Sequence, residues 1–126
     1  MPTDQTKQRT AWTLLILISL ALLIEASFPS TVPDSNIPYL DKALHFLVYG
    51  LLAWLNAYVV IKSEFSKNYN PYIISIVYIL LIGIATETIQ SITPERDAGI
   101  ADILADLLGA GFFLFLFKQQ FNIEKN

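Results

Sequence analysis

The sequence predicts an all-α integral membrane protein, a four-helix bundle with both termini cytoplasmic, and three observations carry that prediction. Hydrophobic residues make up 54% of the 126 residues and charged residues only 15%, which is not the balance of a soluble domain. The apolar residues fall in four blocks, 12–28, 43–61, 72–92 and 100–117, each near the roughly 17–25 residues that cross a bilayer core of about 30 Å. The basic residues, finally, collect on one side of those blocks. Backbone groups in lipid have to be satisfied within their own segment, so each block reads as a helix. Four helices, three connections and two tails use the whole chain, and residues 1–126 are expected to form one membrane domain.

The first block follows Lys7 and Arg9. A secretory signal peptide cut near Ala26 is the alternative there, but the apolar core 11–24 is long for one. Ile24 and Glu25, not small residues, also precede Ala26. The connection "PSTVPDSNIP" carries three prolines and predicts irregular structure. The second block opens on "YLDKALHFLVYG", where Tyr39 and Lys42 sit as interfacial aromatics and snorkelling lysines do. The polar connection "KSEFSKNYNP" ends on a proline suited to the first turn of the third helix. In the fourth, "DAGIADILADLLGAG", Ala101, Ala105 and Gly109 form a small-residue row for close helix approach. Phe112, Phe113, Phe115 and Phe117 are expected to face lipid.

Basic residues near helix ends set orientation. Lys7, Arg9, Lys62, Lys67, Lys118 and Lys125 belong to one side, the predicted cytoplasmic one; only Lys42 and Arg96 lie on the other. Glu25, Asp34, Asp41, Glu87, Glu95, Asp97, Asp102 and Asp106 fall on the outer side, against Asp4, Glu64 and Glu124 inside. Beyond what topology explains there is no basic patch, so a nucleic-acid partner is not expected. The chain has no cysteine, which removes disulfides, thiolate ligands and a cysteine nucleophile. No nucleophile elbow, phosphate-cradling glycine loop or His-Glu-x-x-His occurs.

Charge inside a membrane segment is expensive and by default marks function. Asp41, His45 and Tyr49 are spaced i, i+4, i+8, on one helix face with about 6 Å of rise between neighbours. Glu87 and Gln90 lie a turn apart on the third helix, and Asp102 and Asp106 a turn apart on the fourth. With Glu25, every helix offers a carboxylate to the same leaflet. A purely structural plug would not be expected to set so many acids against two bases, because crowded like charges disfavour the compact state.

The runs "DKALHFLVYG" and "ETIQSITPERDAGIADILADLLGAG" resemble the VanZ-like family of small bacterial membrane proteins. The likeness covers residues 41–111. It lies in Asp-Lys-x-x-His-Phe at the second helix, then Glu-x-x-Gln, Pro-x-Arg and a final Asp with a downstream Gly. Asp41, Lys42, His45, Glu87, Gln90, Arg96, Asp102 and Gly109 match. Asp106 stands where the family usually has asparagine, adding a charge, and Glu95 where a glycine often precedes the arginine. The resemblance implies a multi-pass protein of the bacterial cytoplasmic membrane with a polar outer-leaflet site.

The residues support three functional classes. The first is a site that binds or modifies a lipid head group or lipid-linked envelope intermediate. There His45, oriented by Asp41, would be the general base in a catalytic set with Glu87 and Asp102, the remaining acids could hold a divalent cation bridging a phosphate, and Lys42, Gln90, Arg96 and Asp106 would hold substrate, with Arg96 forking onto phosphate. The cofactor is undefined; one histidine among carboxylates favours a hard cation such as magnesium or calcium over zinc. The second class is an ion- or proton-coupled transport subunit, which four helices could form only as a homo-oligomer. The third is a non-catalytic structural membrane protein.

Overall fold

The computed structural model describes residues 1, 3–29 and 37–125. It contains four α-helices, α1 (Asp4–Ala26), α2 (Leu40–Ile61), α3 (Pro71–Ile92) and α4 (Ile100–Lys125), with a 3-10 turn at Glu64–Lys67 and no strand among the described residues. All four helices are long and apolar enough to cross a membrane. Two outrun the apolar blocks: α1 starts about two turns earlier than residue 12, and α4 continues about two turns past residue 117. Helical hydrogen bonding does not stop where the apolar run stops, and "DQTKQRT" and "KQQFNIEK" contain no breaker.

The helix starts are legible in local chemistry. Thr3 caps α1 by accepting from Thr6 N at 3.3 Å. Asn70 caps α3 by accepting from Tyr72 N at 2.9 Å, and Pro71 fills a position whose N–H would have no partner. α2 starts differently: Tyr39 precedes it in the left-handed region, φ 59°, with no side-chain cap. Glu95, in the α3–α4 connection, is also left-handed at φ 61°. Asp34 and most of the 29–40 connection lie outside the described residues.

Gln8 Nε2 donates to the Lys62 carbonyl at 2.8 Å, and Asp4, Lys7, Lys62, Gln120 and Glu124 border one cleft. The start of α1 and the ends of α2 and α4 therefore share one end of the bundle. Thr93 Oγ1 donates to the Ala26 carbonyl at 3.0 Å, joining the ends of α1 and α3 at the other. The helices thus alternate in direction, and α2 runs parallel to α4.

That parallel pair is the most extensive interface. A Cβ at Gly109 would overlap the Phe46 carbonyl, so α4 rests directly on the α2 backbone there. A Cβ at Gly50 would strike the Phe113 ring and lie 3.0 Å from the Gly109 carbonyl. The expected small-residue row is only partly used: Gly109 makes the contact, Ala105 is half-buried and Ala101 exposed. The true seam runs through Asp102, Asp106, Gly109 and Phe113, one stripe at helical spacing. The phenylalanines divide likewise. Phe112 and Phe115 face outward, whereas Phe113 packs on Gly50 and Phe117 is buried edge-on against Trp54 at 5.2 Å. Facing lipid was expected of all four, but neighbouring positions on a helix point about 100° apart, so one run of rings serves both the outer surface and the core.

α1 is the most lightly packed helix, set against α3 and α2. Its buried Ser19 hydroxyl shares a 2.5 Å hydrogen bond with Tyr78 of α3, a polar tie midway along the helix.

Candidate functional site

The polar site lies where the first turns of α2 and α4 meet the last turns of α1 and α3. Asp41 and Asp102 occupy first turns, where unpaired backbone N–H groups favour a carboxylate. Glu87 and Gln90 occupy the inward face of α3, as their spacing predicts; both are buried. Asp102 is buried too, and Asp106 is 1% exposed.

Lys42 bridges two acids, with Nζ 2.7 Å from Asp41 Oδ2 and in contact with Asp102 Oδ1. It thus ties α2 to α4 instead of only snorkelling. His45 Nδ1 meets Asp106 Oδ1 at 2.8 Å. The partner of the imidazole is therefore Asp106 on α4, where the sequence pointed to Asp41. Asp41 sits at the exposed start of α2 and is drawn to the adjacent ammonium, while the glycine-mediated approach of α4 carries Asp106 up to the ring. The His45 and Tyr49 rings stack at 5.7 Å with 3° between planes, so the predicted α2 face does form.

A second chain of bonds rises from α3. Glu87 Oε2 accepts from Gly99 N, just ahead of α4, at 2.7 Å. In the orientation its neighbours dictate, the Gln90 amide donates to Glu87 Oε1 at 3.1 Å and accepts from Arg96 Nη2 at 2.5 Å. Arg96 forks onto Glu25 of α1, at 2.9 and 3.1 Å. Its bidentate face, foreseen as a phosphate contact, is turned toward a carboxylate of its own chain. Glu25, Arg96, Gln90 and Glu87 thereby link α1, the α3–α4 connection and α3.

The two chains converge on a trio. One ligand-capable atom each from His45, Glu87 and Asp102 lie within 4.8 Å of one another. Behind it, Asp106 Oδ2 is buried with no hydrogen-bond partner among the described residues. A Cβ at Gly83 of α3 would come within 2.9 Å of that oxygen, so glycine makes room for the carboxylate. Deeper in the bundle the Thr86 hydroxyl donates to the Gly83 carbonyl at 2.9 Å and accepts from Tyr49 at 2.8 Å. Near the opposite end, Ser75 bonds Asn56 at 2.8 Å. Gly83, Thr86 and Gly99 escape a reading by charge because they act through a missing Cβ, a hydroxyl and a backbone N–H. Their offsets from Glu87 and from the start of α4 are the only trace they leave in the sequence.

All eight residues foreseen for the site thus lie at one end of the bundle. His45, Glu87 and Asp102 form the trio, with Lys42 and Asp106 bonded to it; Gln90 and Arg96 support it from one side, and Asp41 sits at its exposed rim.

No solved structure matches this chain. An uncharacterised protein of the fission yeast Schizosaccharomyces pombe is 28% identical over 102 residues, an alignment covering 81% of this chain and 61% of the yeast protein. The chain thus spans less than two thirds of the curated relative it matches. That relative is fungal, so the likeness does not by itself assign this chain to a bacterial membrane. The sequence profile described as VanZ/LLP1 matches residues 2–122, nearly the full length and all of the polar site, and the protein belongs to the VanZ/LLP1 family.

Proposed function

We propose that the protein binds the phosphate-bearing head group of a membrane lipid or lipid-linked envelope intermediate at the polar end of its bundle. The observation that carries this reading is the meeting of Lys42, His45, Glu87 and Asp102 beside the first turns of α2 and α4. Such a place is level with lipid head groups, and helix N-termini with a lysine suit phosphate oxygens. Lys67 and Lys118 belong to the opposite end, so the excess of positive charge there would face the cytoplasm and the site the outer leaflet.

Two features support a site over a mere plug. Among the described residues the acids exceed the bases around the trio, and Asp106 has a buried oxygen with no hydrogen-bond partner. A structural lock would be expected to satisfy its polar groups fully. The polar groups farther along the bundle are hydroxyl and amide pairs, such as Tyr49 with Thr86 and Asn56 with Ser75, which do not make a chain of carboxylates for a transport route.

The test is binding of a polyprenyl phosphate by the full chain in phosphatidylcholine nanodiscs, comparing wild type with Lys42→Ala and His45→Ala. Affinity is expected to fall at least about tenfold in each, roughly 1.4 kcal/mol, with unchanged yield of folded protein. Equal affinity in all three proteins would overturn the reading. Loss of folded protein in both variants, with no phosphate binding by wild type, would favour a structural role.

A further inference from the structure

We infer that His45, Glu87 and Asp102 form a binding site for a divalent first-row cation, with Asp106 as the carboxylate that orients the imidazole. The inference rests on the head-group reading above only in that phosphate oxygens would complete the coordination.

Three independent observations lead to it. The first is geometry: donor atoms from three different helices lie within 4.8 Å of one another. Atoms held about 2.0–2.2 Å from one ion stand roughly 3–4 Å apart, so modest side-chain rotation closes the set.

The second is what stands behind the donors. His45 uses Nδ1 on Asp106 at 2.8 Å, which leaves Nε2 as its ligand atom. A carboxylate on the far ring nitrogen is the usual support of a metal-ligating histidine, fixing its tautomer and raising its basicity. Glu87 is held at both oxygens, by Gly99 N and by Gln90, and each oxygen retains a lone pair for a metal. The ligands are thus oriented by groups on the neighbouring helices and in the α3–α4 connection.

The third is charge. Glu87, Asp102 and Asp106 are each more than nine-tenths buried, and Asp106 Oδ2 has no partner among the described residues. Among the described residues, the only ammonium or guanidinium bonded to any of the three is Lys42, which is shared with Asp41. Buried carboxylates short of counter-charge are costly, and a divalent ion supplies two charges at the point where they converge. Lys42 on Asp102 Oδ1 then competes with the ion for that ligand.

One imidazole nitrogen with two carboxylates suits manganese or zinc better than magnesium or calcium, which prefer all-oxygen sets. This differs from the hard cation that the sequence favours, because the structure brings the lone histidine to the centre of the acids.

The experiment uses the full chain in detergent micelles, stripped with EDTA and titrated calorimetrically with MnCl2 and with ZnCl2. One ion per chain is expected. Glu87→Gln and Asp102→Asn, which keep the side-chain shape while removing the charge, should weaken binding at least about 100-fold, and Asp106→Asn by roughly 10–100-fold. Lys42→Met should tighten it, a gain that a merely structural lysine would not give. No binding of either ion by folded wild-type protein, or equal affinity in Glu87→Gln and Asp102→Asn, overturns the inference. Cation binding without polyprenyl phosphate binding supports the cation site and sinks the head-group reading. Phosphate-lipid binding that survives EDTA, in a protein that takes up neither ion, does the reverse.

Discussion

The α2–α4 seam has two ends that are held together by opposite means. At the site end the helices meet through Lys42 with Asp102 and His45 with Asp106. At the far end they meet through Trp54, Phe117 and Phe121, with Phe117 edge-on to Trp54 and stacked on Phe121 at 6.0 Å. Between them Gly50 and Gly109 bring the two backbones into contact. The aromatic end gains from packing of large side chains, each contact directional but none demanding a charged partner. The polar end is a poor source of stability, since buried ion pairs repay little of their desolvation. The glycines and rings set the spacing, and that spacing holds the charges where lipid alone would drive them apart.

The sharpest way to break this division is Gly109→Leu. Its side chain has no room beside the Phe46 carbonyl, so α4 has to move off α2, at a cost of at least about 3 kcal/mol. Unfolding in mixed micelles should show that loss, and cation and phosphate binding should go with it, because Asp102 and Asp106 travel with α4.

Trp54→Ala tests the aromatic end alone. The half-buried ring should cost about 2 kcal/mol on removal, less than a fully buried tryptophan. Binding per folded molecule should be unchanged. A variant that lost binding while keeping its stability would show that the ends are not separate in the way described.

The smallest effect is expected at Glu95→Gly. Glu95 holds φ 61° in the connection that carries Arg96, a conformation that costs a side-chain-bearing residue about 1 kcal/mol and glycine almost nothing. The substitution should raise stability by about that amount, read from the unfolding midpoint in the same micelles. A destabilised variant would mean that the Glu95 side chain matters more than its backbone.

Much of the site could be read from residue types. His45, Glu87, Asp102 and Asp106 stand out in a membrane chain because charge there is costly, and helical spacing alone places Asp41, His45 and Tyr49 on one face. The pairing could not be read. Asp41 and Asp106 are both reasonable partners for His45 on paper, and the choice between them depends on how closely α4 approaches α2. The same holds for Arg96, whose fork closes on Glu25 from a helix seventy-one residues away in sequence. Phe113 and Phe117 could not be told from Phe112 and Phe115 without knowing which side of α4 meets its neighbour.

The amino-acid sequence by itself determined that four helices are long and apolar enough to cross a membrane and that the ionisable groups within their apolar stretches gather toward one end. Both follow from local rules: a bilayer needs a certain length of apolar chain, and lipid penalises charge wherever it falls. The tertiary structure alone decided which carboxylate faces the histidine and which atoms could share an ion. Those are distances between helices, set by two glycines and by the side chains packed around them, and no single segment contains that information.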